Sequence, residues 1–131
     1  MKPHRVDWIA LPVRMIGDLA IRSLPVDKTG FPVSVLHSAL APYSMEGPVV
    51  HERTSEFVFV IQGEAEAELD GRKLRLRRGD SLQIPAGTAH AFRTEASGVE
   101  ALSVFSPALD AERPDAKLIR RRRTRAAQER P

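Results

Sequence analysis

The chain has no cysteine. Disulfides and thiolate chemistry are thereby excluded, and a metal could be held only by histidine and carboxylate side chains. No apolar run approaches the roughly 20 residues of a membrane span. The first residues, Met-Lys-Pro-His-Arg-Val-Asp-Trp, lack the apolar core of a signal peptide. A cytoplasmic location and no membrane partner are the expectations. Aromatic residues are scarce, and the single Trp, Trp8, reads as core or interface packing. Excess positive charge is also missing from most of the chain. The net charge is +3, but residues 112–131 hold eight Lys or Arg against three acids, a net of +5, which leaves −2 for the rest. The run Arg120–Arg123 with Arg125 contains no aromatic for base stacking and has no reading module attached. It reads as a solvated tail or a terminal helix packed on a partner subunit, and nucleic acid is not an expected partner.

What is present describes one globular domain. A length of 131 residues suffices to bury a core, and 42% hydrophobic with 28% charged residues is an ordinary globular composition. Short β-patterned segments follow one another. Val6–Leu11, Leu19–Leu24 and Phe31–Leu40 read as strands, and Ala41–Gly47 as a loop. His37, on the third of these, reads as a packed histidine. Asp70-Gly71 is the preferred two-residue hairpin turn. It pairs Glu64 with Arg77, Glu66 with Arg75 and Glu68 with Lys73 on one face, and sets alanines and leucines on the other. Val99–Ser106 alternates and closes the sheet. Asp115 reads as the cap of a final helix, Ala116–Glu129.

On the strand 56–61, residues two apart share a face. Glu56, Val58 and Val60 point one way, and Phe57, Phe59 and Ile61 the other. A strand apolar on both sides implies a second layer or a partner copy outside it, and a homodimer is expected. A carboxylate opening such a strand needs a counter-charge or a metal.

The chain is organised around residues 79–94. Ser81–Ile84 is a short strand, Pro85-Ala86-Gly87 a turn, and His90 opens the next strand. A histidine this close to a rigid turn has its direction set by the backbone, which suits a metal ligand or a catalytic base. Gly79, Pro85, Gly87 and His90 resemble the second motif of the cupin superfamily, G-x5-P-x-G-x2-H-x3-N, with Thr94 in place of the Asn. His51, Glu56 and Gly63 resemble the first motif, G-x5-H-x-H-x3,4-E-x6-G, with Val49 where its first His stands and no Gly aligned at its start. The resemblance covers about residues 40–107.

It implies an all-β fold, a double-stranded β-helix or jelly-roll barrel over residues 1–114, followed by a short C-terminal helix or tail, 115–131. It also implies a metal set of His51, Glu56 and His90. Two imidazoles and a carboxylate resemble the facial triad of non-haem iron, and the set suits one divalent ion of Fe, Mn, Ni or Zn. Val49, Tyr43, Arg53, Gln83 and Phe92 are expected to line the mouth of the site. The expected function is a small metal-binding protein, acting as an oxygenase- or isomerase-type enzyme on a small polar metabolite. The alternative is a non-catalytic small-molecule binder with a degraded metal site.

Overall fold

The structure, a computed structural model, describes residues 2–110 and 115–119. Its ten strands form two antiparallel sheets that face each other. The first sheet runs in the order β1 (Arg14–Ile16), β2 (Leu19–Leu24), β3 (Ser34–Leu40), β9 (Val99–Ser106), the first half of β5 (Ser55–Leu69), and β7 (Ser81–Ile84). The second runs β10 (Ala116–Leu118), β4 (Met45–His51), β8 (His90–Arg93), the second half of β5, and β6 (Arg72–Arg77). The expected all-β jelly roll is what the chain forms.

Strand β5 joins the two layers because it is 15 residues long and turns a corner. Its register against β9 shifts between Val60 and Gln62, and Gly63 follows at φ 78°. A bulge beside a glycine is how a strand bends from one sheet into another. Along the inner face of β5 the side chains are Glu56, Val58 and Val60, all buried. Val58 packs with Ile84 and Ala101, and Val60 with Ala67 and Leu76, so the apolar core lies on the far side of Val58 from Glu56. The outward residues Phe57, Phe59 and Ile61 are each about 40% exposed, so the described residues do not cover them.

The hairpin β5–β6 has the register that the Asp70-Gly71 turn dictates, Glu64 opposite Arg77 through Leu69 opposite Arg72. Both turn residues have positive φ, as such a turn requires. Glu64 meets its register partner Arg77 at 3.7 Å, while the other charges pair along diagonals: Arg75 bonds Glu64 at 2.9 Å, and Lys73 approaches Glu66 at 3.9 Å. These exposed pairs fix register more than they add stability.

Several segments differ from the sequence reading. Residues 8–10 are a 3-10 turn instead of part of a strand, because the Asp7 carboxylate accepts the Ile9 N–H and competes with any ladder. Trp8 packs on the His37 ring at 4.3 Å, with the Arg22 guanidinium 4.8 Å over its face. Strand β4 begins at Met45, within the segment read as a loop. Residues 116–118 form β10, paired with the edge of β4, instead of opening a helix. Residues 120–129 of the expected helix, with the basic run Arg120–Arg125, lie outside the described residues. No described helix is long and apolar enough to cross a membrane.

Candidate metal centre

His51, Glu56 and His90 meet inside the barrel. Glu56 comes from the first sheet, and the two histidines from the second. His51 ends β4, and His90 opens β8 directly after the Pro85–Thr88 turn. That turn is tied to the site, since the Gly87 N–H donates to the His51 carbonyl at 2.7 Å. One donor atom from each of the three lies within 4.8 Å of the others. Glu56 Oε1 is 3.6 Å from His90 Nε2 and 4.0 Å from His51 Nε2. The imidazoles stack at 5.7 Å, with 19° between their planes.

The hydrogen bonds decide which ring nitrogens face inward. His90 Nδ1 lies 3.0 Å from the Thr88 carbonyl oxygen, which can only accept. His51 Nδ1 lies 3.2 Å from Asp115 Oδ1. Each Nδ1 therefore carries the proton, and each Nε2 presents a lone pair toward Glu56. Burial holds the His90 imidazole below its ordinary pKa, with the Thr88 bond opposing and the nearby His51 adding to the shift. Burial thus favours the neutral imidazole, the form that binds a metal.

Two donors bonded at about 2.1 Å to one ion lie roughly 3.0–3.5 Å apart. The spacings seen are slightly wider, and small side-chain rotations would close them. The donor chemistry, the tautomers and the spacing all fit a divalent cation held by His51, Glu56 and His90.

A second carboxyl shares the cavity. Counting alternately back from His51 and Val49 would send Glu46 outward. However, Glu46 lies opposite Phe92 and Val49 opposite His90, so β4 uses three steps where β8 uses two. The extra residue is a bulge at Gly47-Pro48, and it returns Glu46 to the inner face. Gly47 is needed there, because a Cβ would sit 2.7 Å from the His90 carbonyl oxygen. Burial pushes the Glu46 carboxyl up to about 7. Glu56 is pushed up to about 8, by burial first and by the charge of Glu46 second, against a hydrogen bond from Ser103.

The cavity holding this cluster has a volume of about 870 Å³. Its walls are largely aliphatic and aromatic, with Ile21, Leu40, Val58 and Phe105 among them. Phe105 meets His51 edge-on at 5.4 Å, and Phe92 meets His90 at 6.0 Å.

Of the residues expected at the mouth, Val49 and Phe92 line this cavity. Tyr43 does not: it is 80% exposed. It occupies the place of the first motif's Gly, six before Val49, and its own φ is positive, at 56°. Gln83 is exposed on β7 opposite outward-facing Phe57, and Arg53 is exposed with its backbone N–H donated to Asp115 at 2.9 Å. His37 is on the outer face of β3, bonded to Glu100 at 2.6 Å, and takes no part in the site. Sequence reasoning missed Glu46 and Asp115. The Gly47-Pro48 pair inside a strand was the available signal for the first. Nothing in the sequence signalled the second.

A two-sheet β-barrel with an imidazole–carboxylate cluster set into its open interior is a double-stranded β-helix with a candidate metal centre. Residues 36–105, more than half the chain, match the Cupin domain family, and the chain belongs to that family. It is 44% identical over 46 residues to quercetin 2,3-dioxygenase of Bacillus subtilis (strain 168), covering 35% of this chain and 14% of that protein. It is 39% identical over 61 residues to the polyketide synthase CurC of Streptomyces cyaneus, covering 44% and 40%. The chain thus spans less than half the length of each of these relatives. The structure of the polyketide cyclase RemF from Streptomyces resistomycificus superposes with a TM-score of 0.77 at 20% identity, covering 92% of this chain and 88% of that one, a likeness of fold.

Proposed function

We propose that the protein is a metal-dependent cupin enzyme that acts on an oxygen-bearing organic molecule held in the barrel. The observation that carries this is the convergence of two Nε2 lone pairs and the Glu56 carboxyl on the wall of a large cavity. A divalent ion would satisfy all three of these polar groups, which turn toward one point in a largely apolar interior.

A divalent ion bound there would supply Lewis acidity or a platform for O₂. The chain's own residues would do the rest. The aliphatic walls would bind the body of the ligand and exclude water. Glu46, near 7 in pKa, can take or give a proton beside it without being a ligand. The size and apolar lining of the cavity favour a larger and less polar substrate than the small polar metabolite expected from sequence. The names of the similar proteins, a quercetin dioxygenase and polyketide enzymes, support a substrate of that kind. Oxygenase- and isomerase-type chemistry both fit.

The test is elemental analysis of protein purified without tag or chelator, beside His51→Ala and His90→Ala. About one equivalent of a transition metal in the wild type, lost from both variants, is expected. A wild type that folds but takes up no ion would favour a non-catalytic binder, a reading suggested by Val49 in place of a third histidine.

A further inference from the structure

We propose that strand β10 is a latch on the metal centre, with Asp115 as a positioning residue that orients His51, so that docking of the strand and binding of the metal strengthen each other. This rests on reading His51, Glu56 and His90 as a metal site.

The latch is built from one side chain and a short ladder. Asp115 is 6% exposed. Its Oδ1 is 3.2 Å from His51 Nδ1, and its Oδ2 accepts the Arg53 N–H at 2.9 Å. Thr54 adds a side-chain hydrogen bond. The Asp115 backbone carbonyl accepts the Glu52 N–H at 3.3 Å. One residue thus binds every residue from His51 to Thr54, the whole link between the ligand on β4 and the start of β5, which carries Glu56. Downstream, Ala116 lies opposite His51 and Leu118 opposite Val49, and the Ile119 N–H donates to the Pro48 carbonyl at 3.0 Å.

Among the described residues, little else holds the strand. Ala116, Lys117 and Leu118 are exposed, Leu118 at 84%, so β10 buries almost no apolar surface. Its Lys117–Glu52 ion pair, 2.8 Å long, is exposed at both ends. An edge strand held by a ladder and one buried carboxylate sits at the low end of local stability. Metal binding needs His51 held with Nε2 inward, and the docked Asp115 provides that orientation. If docking tightens the metal by some factor, the metal tightens docking by the same factor. Outer groups that orient a metal-bound histidine typically change affinity by about 10–100-fold.

The experiment uses the full chain with Zn²⁺ as the probe. Zn²⁺ affinity is measured by chelator competition, and the rate of tryptic cleavage after Lys117 by mass spectrometry, for wild type, Asp115→Ala, Asp115→Asn and Ile119→Pro. In the wild type, Zn²⁺ should slow cleavage at Lys117 about tenfold or more. Asp115→Ala should bind Zn²⁺ about 10–100-fold more weakly, with cleavage little changed by Zn²⁺. Asp115→Asn, which keeps an acceptor for His51, should fall between. Ile119→Pro removes the bond to Pro48 without touching the site, and should both speed cleavage and weaken Zn²⁺. Equal Zn²⁺ affinity in wild type and Asp115→Ala, or faster cleavage in Ile119→Pro with unchanged affinity, would overturn the latch and leave the metal site standing. A wild type that binds no Zn²⁺ would overturn the metal site itself, and the latch with it.

Discussion

Glu56→Gln should bind its divalent ion at least about 100-fold more weakly than the wild type, and yet be the more stable protein when both are stripped of metal at pH 9. The two effects have one origin. Glu56 is buried between two imidazoles, near Glu46, and its carboxyl is pushed up to about 8. An acid whose pKa is higher in the folded chain keeps its proton there over a range in which the unfolded chain has lost it. Its stabilising contribution is complete below pH about 4.5 and is gone above about pH 8. The metal-free wild type should therefore lose stability between those values, and Glu46, raised to about 7, adds to the same trend. The two carboxyls titrate as a coupled pair, so one broad transition is expected. Gln mimics the protonated carboxyl in shape and has no proton to lose. At pH 9 the variant should gain on the order of 3 kcal/mol over the metal-free wild type, and at pH 4 almost nothing. The ion reverses the balance, because it satisfies the charge that burial penalises. Thermal unfolding of metal-free protein across pH, beside chelator competition, checks both halves. A variant less stable than wild type at pH 9 would mean that Glu56 is held by protein groups alone.

The second large effect concerns the corner of β5. Gly63→Ala should reduce stability by at least about 4 kcal/mol, enough to leave little folded protein. Gly63 has φ 78°, and a Cβ there would overlap the Gly98 carbonyl oxygen and lie 3.1 Å from Val99 Cα. These are backbone atoms of the β9 side of the ladder, and no side-chain rotation relieves them. The corner cannot open cheaply either, since β5 must reach both sheets for Glu56 to face His51 and His90. Gly71→Ala is the control. It also has positive φ, at 83°, but nothing lies within 4 Å of its Cβ position, so about 1 kcal/mol is expected. Urea unfolding of the two variants separates steric overlap from backbone strain. Equal losses would show that the corner relaxes.

Much of this architecture can be read from residue patterns. The Asp70-Gly71 turn sets the register of the hairpin, and the spacing of Gly79, Pro85, Gly87 and His90 marks a strand, a turn and a directed histidine. The alternation along residues 56–61 correctly separates Glu56, Val58 and Val60 from the outward stripe. Reading fails where counting by twos fails. One extra residue at Gly47-Pro48 reverses the face of Glu46. Tyr43 hides a glycine position, because an exposed Tyr can hold a positive φ that sequence patterns reserve for Gly. Asp115 before Ala-Lys-Leu is the same local signal whether it caps a helix or bonds a loop 62 residues away in sequence. Only tertiary contact distinguishes the two, and here the carboxylate finds His51 and the N–H of Arg53.

The most direct test of the central claim is anomalous diffraction from crystals of the metal-loaded wild type, collected at the absorption edge of the bound ion. The account predicts one strong peak at bonding distance, about 2.0–2.2 Å, from His51 Nε2, His90 Nε2 and a Glu56 oxygen, with Asp115 still on His51 Nδ1. A peak elsewhere in the barrel, or none in protein that is folded and saturated with the ion, would contradict it.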